Sequence, residues 1–297
     1  MAQFSLTDPQ FFDLSTRIKL RVTGADRVRF LNGQITNDIR KATETSAVEA
    51  CVLTAKGKID AHIFAHVEAE SFLLDSDPAL QSLLQARLER YIIADDVEIA
   101  DVTGQLSIFH VINRDAPAIL VSAKIISTNR FGANGYDVWC DANPRDQIRD
   151  ELAKSFQVCN DDCAERLRIQ RGIPRWGREL TGDIIPVEAN LEQRCIDYDK
   201  GCYIGQEVIS RMKMSGQRNK QLCGLTSVNK TALTPGMRLI ASEGKDAGWI
   251  TSATQSQGRE IALGFVKRGF NSVGSRMEAS SAENARSPVE VVDLPFP

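Results

Sequence analysis

The sequence predicts an α+β protein whose C-terminal part is a small β-barrel. Through the first two thirds of the chain, strand patterns are mixed with single helices, joined both by hairpins and by crossovers. After Gly216 the pattern changes to short apolar strands separated by glycine-bearing turns, which is typical of a barrel. The polar segment 217–220 is the predicted linker, so we expect one region over residues 1–216 and a barrel over 221–297.

The individual elements follow from the periodicity of apolar residues. Alternation with period two, or a short apolar run, predicts strands at 18–22, 48–53, 59–68, 72–75, 97–100, 106–112, 118–121 and 135–140. Helical spacing predicts helices at 27–31, 78–90, 146–156, 164–171 and 208–214. In the barrel region, strand patterns occur at 222–225, 237–240, 248–252, 261–266 and 289–292, whereas the polar stretch 275–287 is expected to be loose.

Helix ends and faces add detail to this assignment. Thr23 or Asp26 is the candidate N-cap of the first helix, and Asn32–Gly33 is its candidate C-cap. The second helix carries a leucine stripe that we expect to face the core, consisting of Leu80, Leu83, Leu84 and Leu88.

The composition excludes several classes of protein. The 297 residues suffice for about two domains. Thirty-six basic and 39 acidic residues give a net charge of −3, which argues against the overall basic field of a nucleic-acid-binding protein. No apolar run reaches the ~18 residues of a membrane span, and the N-terminus lacks a signal-peptide pattern, so no membrane partner is expected. Seven scattered cysteines indicate reduced thiols in a cytoplasmic protein rather than a disulfide framework.

Cys202 is the strongest candidate for a reactive group. It stands shortly before the helix predicted at 208–214 and two residues after Lys200. A helix N-terminus and a nearby cation both favour thiolate over thiol, which makes a cysteine more nucleophilic. The alternative is a small residue packed at a loop-to-helix junction, a common use of cysteine.

Two other arrangements suggest a metal site but do not have the geometry for one. His62 and His66 lie on a predicted strand, where residues four apart are about 13 Å from each other at ~3.3 Å per residue. Cys159, Cys163 and Cys195, even with Cys202, lack the paired spacing of a zinc or cluster site. We therefore predict no metal site.

The segment Lys200–Glu207, Lys-Gly-Cys-Tyr-Ile-Gly-Gln-Glu, resembles the signature of the YgfZ family. These proteins are folate-binding relatives of the glycine-cleavage T-protein, and the family includes factors that help mature [4Fe-4S] proteins. The likeness extends over nearly the whole chain and is densest at 26–38, 91–99 and 166–207. It implies a T-protein-like fold, with two interleaved α/β subdomains around a central channel and a C-terminal barrel.

The resemblance also implies a set of site residues. The cofactor would be tetrahydrofolate or another folate, with Cys202 and Lys200 as the catalytic pair and with Tyr203, Gly205, Gln206 and Glu207 in support. The implied folate-binding residues are Asn32, Gln34, Asp60, Arg168, Arg171, Trp176 and Glu188. Their chemistry suits folate, because a pterin favours an aromatic slot and a carboxylate acceptor, and its glutamate tail favours arginine. The arginines also fit a solvated helix face.

Three functions are consistent with these residues. The first is tetrahydrofolate-dependent support of iron–sulfur cluster assembly or repair, with assembly proteins or [4Fe-4S] client enzymes as partners. The second is an aminomethyl- or methyltransferase acting between a small amine, or a carrier-bound aminomethyl group, and folate. The T-protein segment Gly-Gly-x-x-Asp-Asp corresponds here to Asp60 and Ala61, so one carboxylate is missing and this transfer is in doubt. The third is a folate-binding module without chemistry of its own.

Overall fold

The structure of the protein, a computed structural model, describes residues 8–117, 123–281 and 286–296. Its contacts divide it into two compact units. Unit 1 comprises Met1–Asp161 and Gln193–Gln206, and unit 2 comprises Asp162–Glu192 and Glu207–Pro297. These units differ from the regions 1–216 and 221–297 predicted from the sequence, because 162–192 groups with the barrel.

Unit 1 contains two five-stranded sheets. Its strands are β1 (Gln10–Asp13), β2 (Ile18–Thr23), β3 (Val48–Leu53), β4 (Ile59–Glu68), β5 (Ser71–Ser76), β6 (Glu98–Asp101), β7 (Leu106–Ile112), β8 (Lys124–Thr128), β9 (Gly135–Asp141) and β10 (Gln157–Val158). One sheet has the order β3-β4-β5-β2-β6, and the other has the order β10-β1-β7-β9-β8. The strand predicted at 118–121 lies outside the described residues.

The helices are short and join these strands. They are α1 (Arg27–Gln34), α2 (Gln81–Glu89), α3 (Arg145–Leu152), α4 (Asp161–Gln170), α5 (Glu192–Cys195) and α6 (Gln206–Ser215). Three-residue 3-10 turns occur at Ile39–Lys41, Pro78–Leu80 and Ser242–Gly244, and a four-residue one at Pro186–Ala189.

Strand β4 shows why the alternating pattern predicts structure well here. Ile59, Ala61 and Ile63 are completely buried, as period two requires for one face of a sheet. His62 and His66 are confirmed to lie on this strand. His66 is buried against the Trp139 ring, with ring centroids 4.7 Å apart.

Two details of the predicted helices are wrong. Helix α1 continues through Gly33 and is capped by Ile35, whose N–H donates to the Leu31 carbonyl, so Asn32–Gly33 is not its C-cap. In α2, Leu83 is 61% exposed, because the stripe that packs inward is formed by Leu80, Leu84 and Leu88.

A buried arginine joins the two sheets of unit 1. The Arg130 guanidinium donates to both carboxylate oxygens of Asp75 on β5 and of Asp137 on β9, at 2.6–3.0 Å. All three side chains are at least 96% buried. The Arg130 guanidinium also lies 4.1 Å from the centre of the Phe64 ring. Because buried charges are tolerated only when paired and hydrogen-bonded, this cluster fixes the two sheets against each other.

Unit 2 contains the predicted barrel. Its strands are β11 (Lys220–Ser227), β12 (Arg238–Ile240), β13 (Asp246–Ser256), β14 (Arg259–Lys267), β15 (Arg276–Ser280) and β16 (Arg286–Val292). They close in the order β11-β14-β13-β12-β15-β16 around an apolar core that includes Leu225, Leu239 and Val289. The stretch expected to be loose instead contains β15, because Met277 and Ala279 alternate inward.

The cysteines only partly match the expectation of reduced thiols. Cys51, Cys140, Cys195, Cys202 and Cys223 are free. Cys159 and Cys163 are disulfide-bonded, which corrects the expectation for these two residues. In the part of the chain that the structure describes, no helix combines the length and the apolarity that crossing a bilayer requires.

Candidate functional site

Lys200 is a buried structural residue that holds the loop after α1. Its ammonium donates three hydrogen bonds, to the carbonyl oxygens of Asn32 (2.9 Å), Ile35 (2.7 Å) and Asn37 (2.7 Å). Each of the three N–H groups of the ammonium therefore has an acceptor. Burial lowers the pKa of Lys200 to about 8. The predicted role of Lys200, a nearby cation that favours the Cys202 thiolate, stays a prediction.

The residues after Cys202 dock the motif onto the rest of unit 1. Tyr203 is 7% exposed, and burial raises its pKa to about 12. The Ile204 N–H donates to the Gly33 carbonyl at 3.1 Å. Gly205 has φ +86°, and a Cβ there would lie 2.7 Å from the Thr54 carbonyl oxygen, so only glycine allows this close approach.

Cys202 remains accessible on this docked segment. Of the five free cysteines in the described residues, it alone is exposed. Helix α6 begins at Gln206, so Cys202 lies four positions before the helix, in agreement with the predicted placement. The thiol is presented to solvent, and its activation by Lys200 and by the helix end stays a prediction.

Glu207, whose supporting role stays a prediction, lies in the first turn of α6. Its exposed carboxylate pairs with Arg211 one turn later on α6, at 2.6 Å. Such pairs between exposed side chains contribute little to stability. Gln206 is half-buried, and its N–H donates to the Tyr203 carbonyl as α6 begins.

Asp60 is held by an arginine that sequence reasoning missed. The Arg87 Nε lies 2.8 Å from Asp60 Oδ2, and the same guanidinium donates to Gln34 Oε1 (3.1 Å) and to the Leu53 carbonyl (2.7 Å). The Tyr91 ring lies 4.3 Å from the guanidinium. Only the position of Arg87 on the polar face of α2 could have suggested this contact from the sequence.

The predicted folate residues in the last turn of α1 serve the same local structure. The Asn32 side-chain oxygen accepts from the Ile39 N–H at 2.9 Å, and Gln34 is 7% exposed with its oxygen on Arg87. The structure thus brings Asn32, Gln34 and Asp60 together with the Lys200–Gln206 segment in unit 1.

Glu188 is a buried carboxylate in unit 2. Its Oε2 accepts from the Ile185 N–H at 3.1 Å, at the start of the short 3-10 turn that contains Glu188. The same oxygen lies 3.5 Å from Lys220 Nζ, which is 5.6 Å from the Trp249 ring centre and 5.8 Å from that of Phe265. A buried carboxylate is the kind of acceptor that a pterin favours.

Arg168 is fully engaged and does not match the predicted folate-tail ligand. Its side chain is 4% exposed and contacts groups that are all in unit 2. The five guanidinium N–H groups have five acceptors, contributed by Glu165 (two), Glu179, Ser252 and the Ile173 carbonyl. Glu179 is completely buried, and its second oxygen accepts from Ser252 Oγ at 2.6 Å. Arg168 therefore ties α4 to the barrel strand β13.

Two further predicted residues are also in unit 2. Arg171 is half-buried just past the end of α4, and burial lowers its pKa. Trp176 is half-buried and forms a β-bridge with Leu180. Their roles in folate binding stay predictions.

A second cluster in unit 1 was not predicted. Glu49, His62 and Cys195 place one oxygen, one nitrogen and one sulfur within 4.8 Å of one another. Sequence reasoning dismissed His62 when paired with His66, and Cys195 when grouped with other cysteines. The missing signal was the register of β3 and β4, which sequence alone does not fix.

Comparisons with known proteins agree with the fold. Residues 220–296 match the family described as "Glycine cleavage T-protein C-terminal barrel domain". A protein named aminomethyltransferase from Staphylococcus haemolyticus is 24% identical over 285 residues, covering 86% of this chain and 78% of the relative. The crystal structure of glycine cleavage system aminomethyltransferase T from Bartonella henselae has a TM-score of 0.86 at 16% identity, covering 98% of this chain and 88% of that one.

The predicted T-protein-like fold with its closed C-terminal barrel is therefore confirmed. These similarities are to T-proteins as a class. The narrower resemblance to the YgfZ family stays a prediction.

Proposed function

We propose that the protein binds tetrahydrofolate and, as a YgfZ-type protein of the cytoplasm, supports assembly or repair of iron–sulfur clusters through the Cys202 thiol. The observation that carries this proposal is the construction of the Lys200–Gln206 segment. Lys200, Tyr203 and Gly205 are committed to buried contacts, whereas Cys202 is exposed. A segment built in this way presents one thiol to a partner, which is an [4Fe-4S] client, an assembly protein or a sulfur species.

The folate part of the proposal depends on Glu188. Both described contacts of its carboxylate use Oε2, so Oε1 is the oxygen that would accept from the pterin N–H groups. Bound tetrahydrofolate would supply a carrier for one-carbon units. We assign the glutamate tail to the predicted residue Arg171, which is half-buried just past the end of α4.

Tetrahydrofolate titration of the purified protein tests this assignment. Glu188→Gln keeps the shape but removes the charged acceptor, so affinity should fall about tenfold or more, as expected when a charge-assisted hydrogen bond is lost. Glu207→Gln, on the solvent-exposed face of α6, is the matched control and should bind like wild type. Equal affinity of all three proteins would remove Glu188 from the site.

Aminomethyl transfer to folate is the second candidate, and the name of the Staphylococcus haemolyticus relative favours it. Asp60 is the carboxylate that this reaction would use, and here its Oδ2 is paired with Arg87. A turnover assay with tetrahydrofolate and an aminomethyl donor, either a lipoylated carrier or a methylated amine, separates the two candidates. Transfer that is abolished by Asp60→Asn but survives Cys202→Ala would establish the second function and contradict the first.

A further inference from the structure

The Glu49, His62 and Cys195 cluster has the composition of a metal centre. The side chains of Glu49 and His62 are only 9% and 16% exposed, and Cys195 is completely buried. His62 Nε2 lies 2.8 Å from Glu49 Oε1. Donor atoms bound to a tetrahedral ion at ~2.0–2.3 Å are roughly 3.3–3.8 Å apart, and the three donors here already lie within 4.8 Å of one another.

Strand geometry places one more thiol on the same face of the hairpin. Cys51 pairs directly with His62 across the β3–β4 ladder and follows Glu49 by two residues. Its sulfur is not among the donors that lie within 4.8 Å of one another, so the described residues supply three ligands. These are one sulfur, one imidazole nitrogen and one carboxylate oxygen, which are ligand types that Zn²⁺ prefers.

Surrounding contacts hold these donors in place. The buried Thr36 hydroxyl donates to the Cys195 carbonyl and accepts from the Cys51 N–H at 2.9 Å, so one side chain fixes the backbone of both cysteines. Arg194 Nε donates to Glu49 Oε2 at 2.9 Å, which leaves the other carboxylate oxygen directed at His62. Metal centres depend on such outer contacts to orient their ligands.

The charges of the three ligands balance those of a divalent ion. The Cys195 thiolate and the Glu49 carboxylate carry two negative charges, which equal the two positive charges of the ion and avoid most of the cost of burying unpaired ions. Arg194, whose side chain is 23% exposed, adds one positive charge where solvent screens it. A cavity of about 320 Å³, lined in part by Glu49 and Arg194, provides an entry path.

We propose that Glu49, His62 and Cys195 bind one Zn²⁺ ion, with water in the fourth position. Binding replaces the His62–Glu49 hydrogen bond by bonds to the metal and releases two protons to solvent, one from the Cys195 thiol and one from His62 Nε2. The site would join the β3–β4 hairpin to the end of α5, five residues before Lys200, and so stabilise the segment that carries Cys202. It is independent of folate binding and of the activity proposed above.

Titration of the chelator-treated full-length protein with Co²⁺ tests the site, because tetrahedral cobalt bound to thiolate absorbs visibly. We expect wild type and Cys202→Ala to bind one equivalent of Co²⁺ and to show a thiolate–cobalt spectrum. We expect Cys195→Ser to lack this spectrum. The proposal would be overturned if wild type showed no such spectrum. It would also be overturned if Cys202→Ala lost the spectrum while Cys195→Ser kept it.

Thermal unfolding gives a second readout that does not depend on the spectrum. Zn²⁺ should raise the Tm of wild type and of Cys202→Ala, because an ion that binds only the folded state stabilises it. It should leave the Tm of His62→Gln unchanged. If Cys195→Ser does not fold, His62→Gln and the wild-type titration still decide the question. An equal increase in Tm for wild type and His62→Gln would contradict the assignment.

Discussion

At the residue scale, neighbouring residues of the Lys200–Gln206 segment serve different physical purposes. Lys200 satisfies three carbonyl oxygens, Tyr203 fills buried space, and Gly205 allows the backbone to approach Thr54. Cys202 is exposed between them. The motif is therefore mainly a scaffold, and its chemistry is limited to one thiol.

Gly205 and Gly201 provide a matched test of this scaffold. Gly205→Ala should lower the free energy of unfolding by about 2 kcal/mol, because a side chain is strained at positive φ and its Cβ would clash with the Thr54 carbonyl. Gly201→Ala should change it by less than about 0.5 kcal/mol, since a Cβ there would meet open space among the described residues. Urea unfolding of both variants measures the difference. Equal losses would show that the segment is not docked as described.

The sequence identified this motif but not the partners of its residues. The acceptors of Lys200 are backbone carbonyls more than 160 positions away, and backbone groups leave no sequence signal. Arg168 was predicted as a ligand because arginine suits folate. Its engagement by Glu179 and by Ser252, which is 84 residues away, depends on tertiary packing.

At the element scale, elements with strong periodicity were predicted well. The predicted bounds of β3, β4 and β7 agree with the structure, because each is a run of alternating or continuous apolar residues. The short strands β1 and β10 were missed, since four and two residues carry too little pattern. Helix α1 was cut short at Gly33 because glycine usually ends helices, whereas here the helix continues to Gln34.

The Arg130 cluster makes a prediction about the two sheets of unit 1. Arg130→Met should lower the free energy of unfolding by about 3–5 kcal/mol at pH 7, because Asp75 and Asp137 would be left as buried, uncompensated charges. Arg149→Met breaks only exposed ion pairs and should lower the free energy of unfolding by less than about 1 kcal/mol.

The difference in unfolding free energy between wild type and Arg130→Met should depend on pH. Burial raises the pKa of Asp75, but Arg130 and Arg17 outweigh this effect and hold it below the ordinary value. The stability contributed by this carboxylate is therefore present above about pH 4, its unfolded pKa, and is lost as the pH falls further. Denaturant unfolding from pH 6 to pH 3 should show the gap between wild type and Arg130→Met narrowing. A constant gap would contradict this explanation.

At the scale of the whole molecule, the fold was easier to predict than the site. The T-protein-like architecture follows from a resemblance spread over nearly all of the chain, and the structural match covers 98% of it. The site depends on side-chain contacts that vary within one fold, so fold similarity does not determine activity. The exposure of Cys202 is the structural feature that favours a thiol-based function.

Complementation of a strain deficient in [4Fe-4S] enzyme activity tests the thiol-based function most directly. Wild type should restore the activity of [4Fe-4S] enzymes, and Cys202→Ala should not. Because Cys202 is exposed, we expect the two proteins to have the same Tm. Cys140→Ala controls for the loss of a thiol and should restore activity if it remains folded. Equal restoration by wild type and Cys202→Ala would contradict the function proposed for this protein.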